Sequence, residues 1–103
     1  MVNEEVKSKI EEYINNNKVV LFMKGSKDMP LCGFSRHVVM ILNEIDVDFV
    51  DVNILEDEEL RQGLKEYSSW PTFPQLYVNK ELVGGCDIVN EMFEEGSLQK
   101  VFA

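Results

Sequence analysis

Val19-Val20-Leu21-Phe22-Met23-Lys24-Gly25-Ser26-Lys27-Asp28-Met29-Pro30-Leu31-Cys32-Gly33-Phe34-Ser35 runs from an apolar stretch, through a polar loop, to a lone cysteine. Val19 to Met23 contains no polar residue, the pattern of a strand covered on both faces. After Gly33 the apolar residues recur at Phe34, Val38, Ile41, Leu42 and Ile45, a helical stripe. Cys32 thus stands between a strand and the first turn of a helix. The leading N–H groups of a helix lack partners within it and carry partial positive charge, which favours an anionic sulfur. Position alone leaves two readings of Cys32: a working thiol held partly ionised, and a small packed residue, as free cysteines often are.

Outward from this stretch, the second helix is expected from about Gly33 to Glu44 and a second strand over Asp48 to Val52. Strand, helix and strand then read as a right-handed βαβ unit. Upstream, Asn3 caps a first helix that carries Glu4 and Glu5 in its first turn and Val6, Ile10, Tyr13 and Ile14 on one face; Asn15-Asn16-Asn17 ends it. Downstream, Asp57-Glu58-Glu59 begins a third helix with Leu60, Leu64 and Tyr67 inward, and Ser68-Ser69-Trp70-Pro71 breaks it. Gln75 to Val78 and Glu81 to Val83 are short strands joined by the two-residue turn Asn79-Lys80. Gly84-Gly85 permits a tight turn into a last helical part, opened by Asp87, with Ile88, Val89, Met92 and Phe93 inward and Leu98, Val101 and Phe102 continuing it.

A chain of 103 residues, 45% of them hydrophobic, fits one domain over 1–103 with one modest core. Ten Lys and Arg against nineteen Asp and Glu give a formal net charge of −9, which argues against a nucleic-acid surface. No apolar run approaches the ~20 residues of a membrane span, so no membrane partner is expected. The N-terminal residues have neither a basic region nor an apolar one and are acidic for a transit peptide. Two cysteines 54 positions apart make no disulfide framework, so a reducing compartment, cytoplasmic or mitochondrial, is the simpler reading. Two cysteines and one histidine are also too few for a structural zinc site within one chain. His37 lies five residues after Cys32, where a helix needs three or four for contact, so it is read as a surface residue.

Cys32-Gly33-Phe34-Ser35 resembles the CGFS signature of monothiol glutaredoxins. Lys24-Gly25 stands at that family's spacing before the motif. Trp70-Pro71-Thr72-Phe73-Pro74-Gln75-Leu76 resembles its second segment, and Gly84-Gly85-Cys86-Asp87 its third, so the likeness runs from about Val6 to Phe102. The resemblance implies an α/β, thioredoxin-like fold, a four-stranded mixed sheet with helices on both faces, in which Pro74 is cis beside the active cysteine. It implies a glutathione groove made by Lys24 and Arg61 for the glycyl carboxylate, the Phe73 backbone for the cysteinyl part, and Cys86 and Asp87 for the γ-glutamyl end, with Cys32 as the reactive thiol. Read without it, Arg61 is also a plain solvated arginine, Phe73 and Trp70 pack as aromatics, Asp87 is a helix N-cap and Cys86 a small packed residue.

A dithiol oxidoreductase needs a second cysteine three residues after the first, and here that residue is Ser35. A lone thiolate is also a soft ligand for iron. CGFS proteins complete the four sulfurs of a [2Fe-2S] cluster with one cysteine from each of two protomers and the thiols of two glutathiones. The leading expectation is therefore an iron–sulfur carrier, with Cys32 the metal ligand and glutathione and [2Fe-2S] the cofactors. It would be a homodimer with the cluster, a monomer without it, and would serve iron–sulfur recipient proteins. The alternative is an enzyme, a glutathione-dependent monothiol disulfide oxidoreductase or deglutathionylase; a third class is an iron-sensing regulatory module.

Overall fold

Strand β1, Val19–Met23, is buried along its whole length and occupies an inner position of the sheet. The computed structural model describes residues 3–103. Alternation divides β1 between two cores. Val19, Leu21 and Met23 pack on one face, Val20 and Phe22 on the other. The apolar strand therefore commits the chain to layers on both sides of the sheet.

The other elements follow in chain order. Helix α1 is Glu4–Asn16, α2 is Gly33–Glu44, β2 is Val50–Asn53 and α3 is Glu58–Ser68. After these come β3, Gln75–Val78, β4, Glu81–Gly84, α4, Cys86–Glu95, and α5, Leu98–Val101. The sheet order is β2-β1-β3-β4. β1 runs parallel to β2 and antiparallel to β3, which pairs antiparallel with β4. Helices α1 and α3 cover one face through Val6, Ile10, Ile14, Leu60 and Leu64. Helices α2, α4 and α5 cover the other through Val38, Val39, Ile41, Leu42, Val89 and Leu98. This is the four-stranded mixed sheet with helices on both faces that the resemblance implies. Among the described residues, no helix is long and apolar enough to cross a membrane.

The caps explain the boundaries. Asn3 accepts a hydrogen bond from the Val6 amide at 2.8 Å, and Asp57 accepts one from Leu60 at 3.0 Å. Asp57 also pairs with Lys9, tying α1 to α3. Asn79 and Lys80 both have positive φ, 51° and 72°, as a tight two-residue hairpin turn requires.

Four expectations need correction. β2 begins at Val50 and ends at Asn53, and a single 3₁₀ turn, Ile54–Glu56, follows it. The Asn53 side chain makes that turn by accepting from the Leu55 amide at 3.0 Å. Phe34 is 62% exposed, while Ser35 and Val39 take buried places on α2. With Ser35, Val38, Val39 and Leu42 inward, Phe34 is turned out of the core. The N-cap of α4 is Gly85, so Asp87 lies within the first turn. Ile88, Met92 and Phe93 are half-buried, and Val89 alone is fully buried on α4.

Candidate functional site

Cys32 is the N-cap of α2, in extended backbone with φ −143° and ψ 137°. It is partly exposed and makes no disulfide. Burial alone would push its thiol up. The amides of Ser35 and Phe34, the charge of Lys24 and the Ser35 hydroxyl outweigh that and hold it below the ordinary thiol value. An N-cap side chain is placed to meet the free amides of the second and third helical residues, and these are Phe34 and Ser35. No side-chain hydrogen bond caps α2, so those amides favour the ionised sulfur.

The loop before Cys32 is tied down on both sides. Ser26 and Met29 exchange backbone hydrogen bonds of 3.1 Å, and the Leu31 amide donates to Lys24 at 3.0 Å. The Lys27 amide donates to Asp51, its ammonium donates to the Phe49 carbonyl at 2.8 Å, and Asn53 accepts from the Gly25 amide. Gly25 has φ +93°, and a Cβ there would lie 2.5 Å from the Met29 carbonyl oxygen. Ser35 is fully buried, and its hydroxyl accepts from the Lys24 amide at 3.1 Å. The residue three after Cys32 thus joins α2 to the end of β1.

All six residues singled out from sequence, Lys24, Cys32, Arg61, Phe73, Cys86 and Asp87, line one groove of about 360 Å³. They arrive from four places: the end of β1, the start of α2, helix α3, and the segment from the cis Phe73-Pro74 bond to the start of α4. Sequence reading missed Lys65, one turn after Arg61 on α3, and Trp70, which it assigned to packing. Lys65 was recoverable from its i+4 spacing to Arg61. Lys24, Arg61 and Lys65 make the groove cationic within a chain of net charge −9, with Asp87 its acidic member. His37 is exposed and contacts Asn90 Oδ1 at 2.7 Å. It lines a second, shallower depression that also reaches Cys32 and Cys86.

A family profile described as Glutaredoxin matches residues 19–83. A probable monothiol glutaredoxin 2 of Rickettsia typhi is 61% identical over 92 residues, 89% of this chain and 83% of that protein. The chain belongs to the monothiol glutaredoxin family. Monothiol glutaredoxin-S14 of Arabidopsis thaliana, a chloroplastic protein, is 60% identical over 96 residues, 93% of this chain, and the chain spans 56% of its length. Among solved structures, reduced apo GrxS14 of poplar is 58% identical with a TM-score of 0.82, covering 92% of this chain and 87% of that one. A buckwheat glutaredoxin–glutathione complex shares the fold at 21% identity and TM-score 0.84, covering 97% and 93%.

Membership in the monothiol family gives the Ser35 geometry its meaning. A resolving cysteine at that position is replaced by a hydroxyl already engaged by the chain's own backbone. Cys86 is the other thiol in the groove. Burial, the Asp87 carboxylate and the charge at Cys32 push it up. Of the two sulfurs in the groove, Cys32 is therefore the more readily ionised.

Proposed function

We propose that the chain binds glutathione in this groove and, as a dimer, carries a [2Fe-2S] cluster for transfer to recipient proteins. The observation that carries the reading is the Cys32 thiol, held below its ordinary value at the N-cap of α2 and set in the wall of a cationic groove. Glutathione has two carboxylates, one amine, a thiol and an extended peptide backbone. Lys24, Arg61 and Lys65 suit a carboxylate, Arg61 through its planar fork of donors. The Phe73 backbone ahead of cis Pro74 suits pairing with an extended peptide. The start of α4 lacks a side-chain cap, leaving amides for the γ-glutamyl carboxylate. The glutathione complex of the buckwheat relative, which has the same fold, supports this reading.

The donor set fits a shared cluster and not one held within a single chain. Among the described residues, no group of three or more His, Cys, Asp and Glu is placed to hold a metal. Ser35 is committed to the Lys24 amide, and Cys86 is half-buried with a raised thiol. One protomer therefore supplies one sulfur, Cys32, and four require a second copy and two glutathiones. Met29, Leu31 and Phe34, at 68%, 62% and 62% exposed, flank Cys32 in the chain with exposed apolar side chains, which suits the approach of a second copy. Sulfur ligands that exchange with free glutathione suit the cluster to delivery.

Anaerobic reconstitution of wild type, Cys32→Ser and Cys86→Ser, with and without glutathione, tests the proposal. Iron, sulfide and glutathione are counted per protein, and the assembly is sized. We expect one cluster and two glutathiones per two protomers, in wild type and Cys86→Ser only, and monomers once the cluster is removed. A cluster that forms without glutathione, survives in Cys32→Ser or resides in a monomer overturns the proposal. The enzyme alternative gives instead a glutathionylated monomer with measurable turnover.

A further inference from the structure

Two buried side-chain nitrogens among the described residues have no hydrogen-bond partner, Arg61 Nε and Trp70 Nε1. Both belong to residues that line the same groove. Buried donors are rarely left unpaired, and leaving one so costs about 1–3 kcal/mol. Two in one groove, with none elsewhere among the described residues, mark a place where an acceptor is supplied from outside the chain. For Arg61 the acceptor is the carboxylate already proposed. Trp70 has been given no role beyond packing.

The backbone of Trp70 is fixed from both sides. Its amide donates to Ser68 Oγ at 3.1 Å, and its carbonyl accepts from Gln75 Nε2 at 3.0 Å. The indole nitrogen is directed to the start of α4: a Cβ on Gly85 would lie 3.1 Å from it. Gly85 is the N-cap of α4, where no side chain satisfies the first amides. An unpaired indole donor and the uncapped helix start therefore meet at one end of the groove.

We propose that Trp70 is a ligand-contacting residue, its indole N–H donating to a carboxylate oxygen of the γ-glutamyl end of glutathione. The nitrogen is closed to solvent in this conformation, so binding requires a small rotation of the indole that opens its N–H to the groove while it stays beside the start of α4. Trp70 would then select ligands that bring an anionic oxygen to the start of α4. The inference rests on the glutathione reading above and extends it by one residue.

Trp70 is the chain's only tryptophan, so its indole N–H gives one unambiguous resonance. Two ligands are titrated into ¹⁵N-labelled protein: glutathione, and 4-aminobutyryl-cysteinyl-glycine, which lacks only the γ-glutamyl α-carboxylate. Affinities are then measured with Trp70 replaced by benzothienylalanine, which keeps the ring shape and puts sulfur in place of N–H. We expect glutathione to move the indole proton downfield, and the truncated tripeptide to leave it in place. The isostere should bind glutathione about tenfold more weakly and the truncated tripeptide unchanged. If glutathione shifts the amides of Gly85 and Cys86 but not the indole, or binds the isostere as tightly as wild type, Trp70 has no such role. If no groove amide shifts at all, the glutathione reading fails and this one fails with it.

Discussion

Cys32 and Cys86 each stand where a helix begins, both partly exposed and both lining the same groove, yet one thiol is held down and the other pushed up. The difference is one residue of register. Cys32 is the N-cap, outside the helix, and its sulfur meets the free amides of the next turn. Cys86 is the first residue inside α4, behind Gly85, where burial first and then the Asp87 carboxylate beside it push the thiol up. A helix start therefore does not make a reactive cysteine by itself. The N-cap position, a nearby cation and the absence of a neighbouring acid do. Linkage runs in opposite directions for the two. Ionised Cys32 adds stability above the unfolded thiol value, and this is lost as pH falls through its lower folded value. Protonated Cys86 adds stability below the unfolded value, and this is lost as pH rises through its higher folded value.

The sharpest break in the comparison is deletion of each thiol. Cys32→Ser should remove essentially all fast alkylation near pH 7, and Cys86→Ser should leave it intact, as read by mass spectrometry after a short iodoacetamide pulse. A fast phase that persists in Cys32→Ser would reverse the assignment.

The two helix starts also differ in room. A Cβ on Gly33 meets nothing within 4 Å, whereas one on Gly85 lies 3.1 Å from both the Pro74 carbonyl oxygen and Trp70 Nε1. Gly85→Ala should cost about 1–3 kcal/mol in urea unfolding, because a backbone oxygen must give way. Gly33→Ala should stabilise by about 0.5–1 kcal/mol, since the helix gains an alanine in open space. Equal effects at the two positions would remove the distinction.

Charge separates the thiols more gently. Asp87→Asn should lower the alkylation midpoint of Cys86 and leave that of Cys32 in place, since a neighbouring carboxylate is among the causes of the Cys86 shift. Lys24→Ala should raise the Cys32 midpoint by the smallest amount of the set, because the amides of Ser35 and Phe34 act more strongly than the lysine. Both are read from alkylation rate against pH.

The sequence made the central strand legible because Val19 to Met23 is apolar at both phases of the pleat, and β1 is buried on both faces. Asn3 announced its helix as a cap, and Asp57-Glu58-Glu59 announced another as an acidic start, in which Asp57 is the cap. Phe34 misled because an aromatic at helical spacing reads as core, while Ser35 holds the inward place through its bond to Lys24. The 3₁₀ turn after β2 escaped because one asparagine side chain makes it. The six groove residues were legible through family resemblance. Their meeting depends on the packing of α3 against the sheet and on the Gly85 register, which no local pattern encodes. Trp70 was assigned to packing because an unpaired donor is visible only once its neighbours are in place.

The most direct measurement is a site-resolved titration of both thiols in one sample, by alkylation rate or by ¹³Cβ shift of labelled cysteine. Cys32 should titrate below the ordinary thiol value and Cys86 above it. Coincident midpoints, or Cys86 ionising first, would contradict the claim that the N-cap of α2 makes Cys32 the working sulfur.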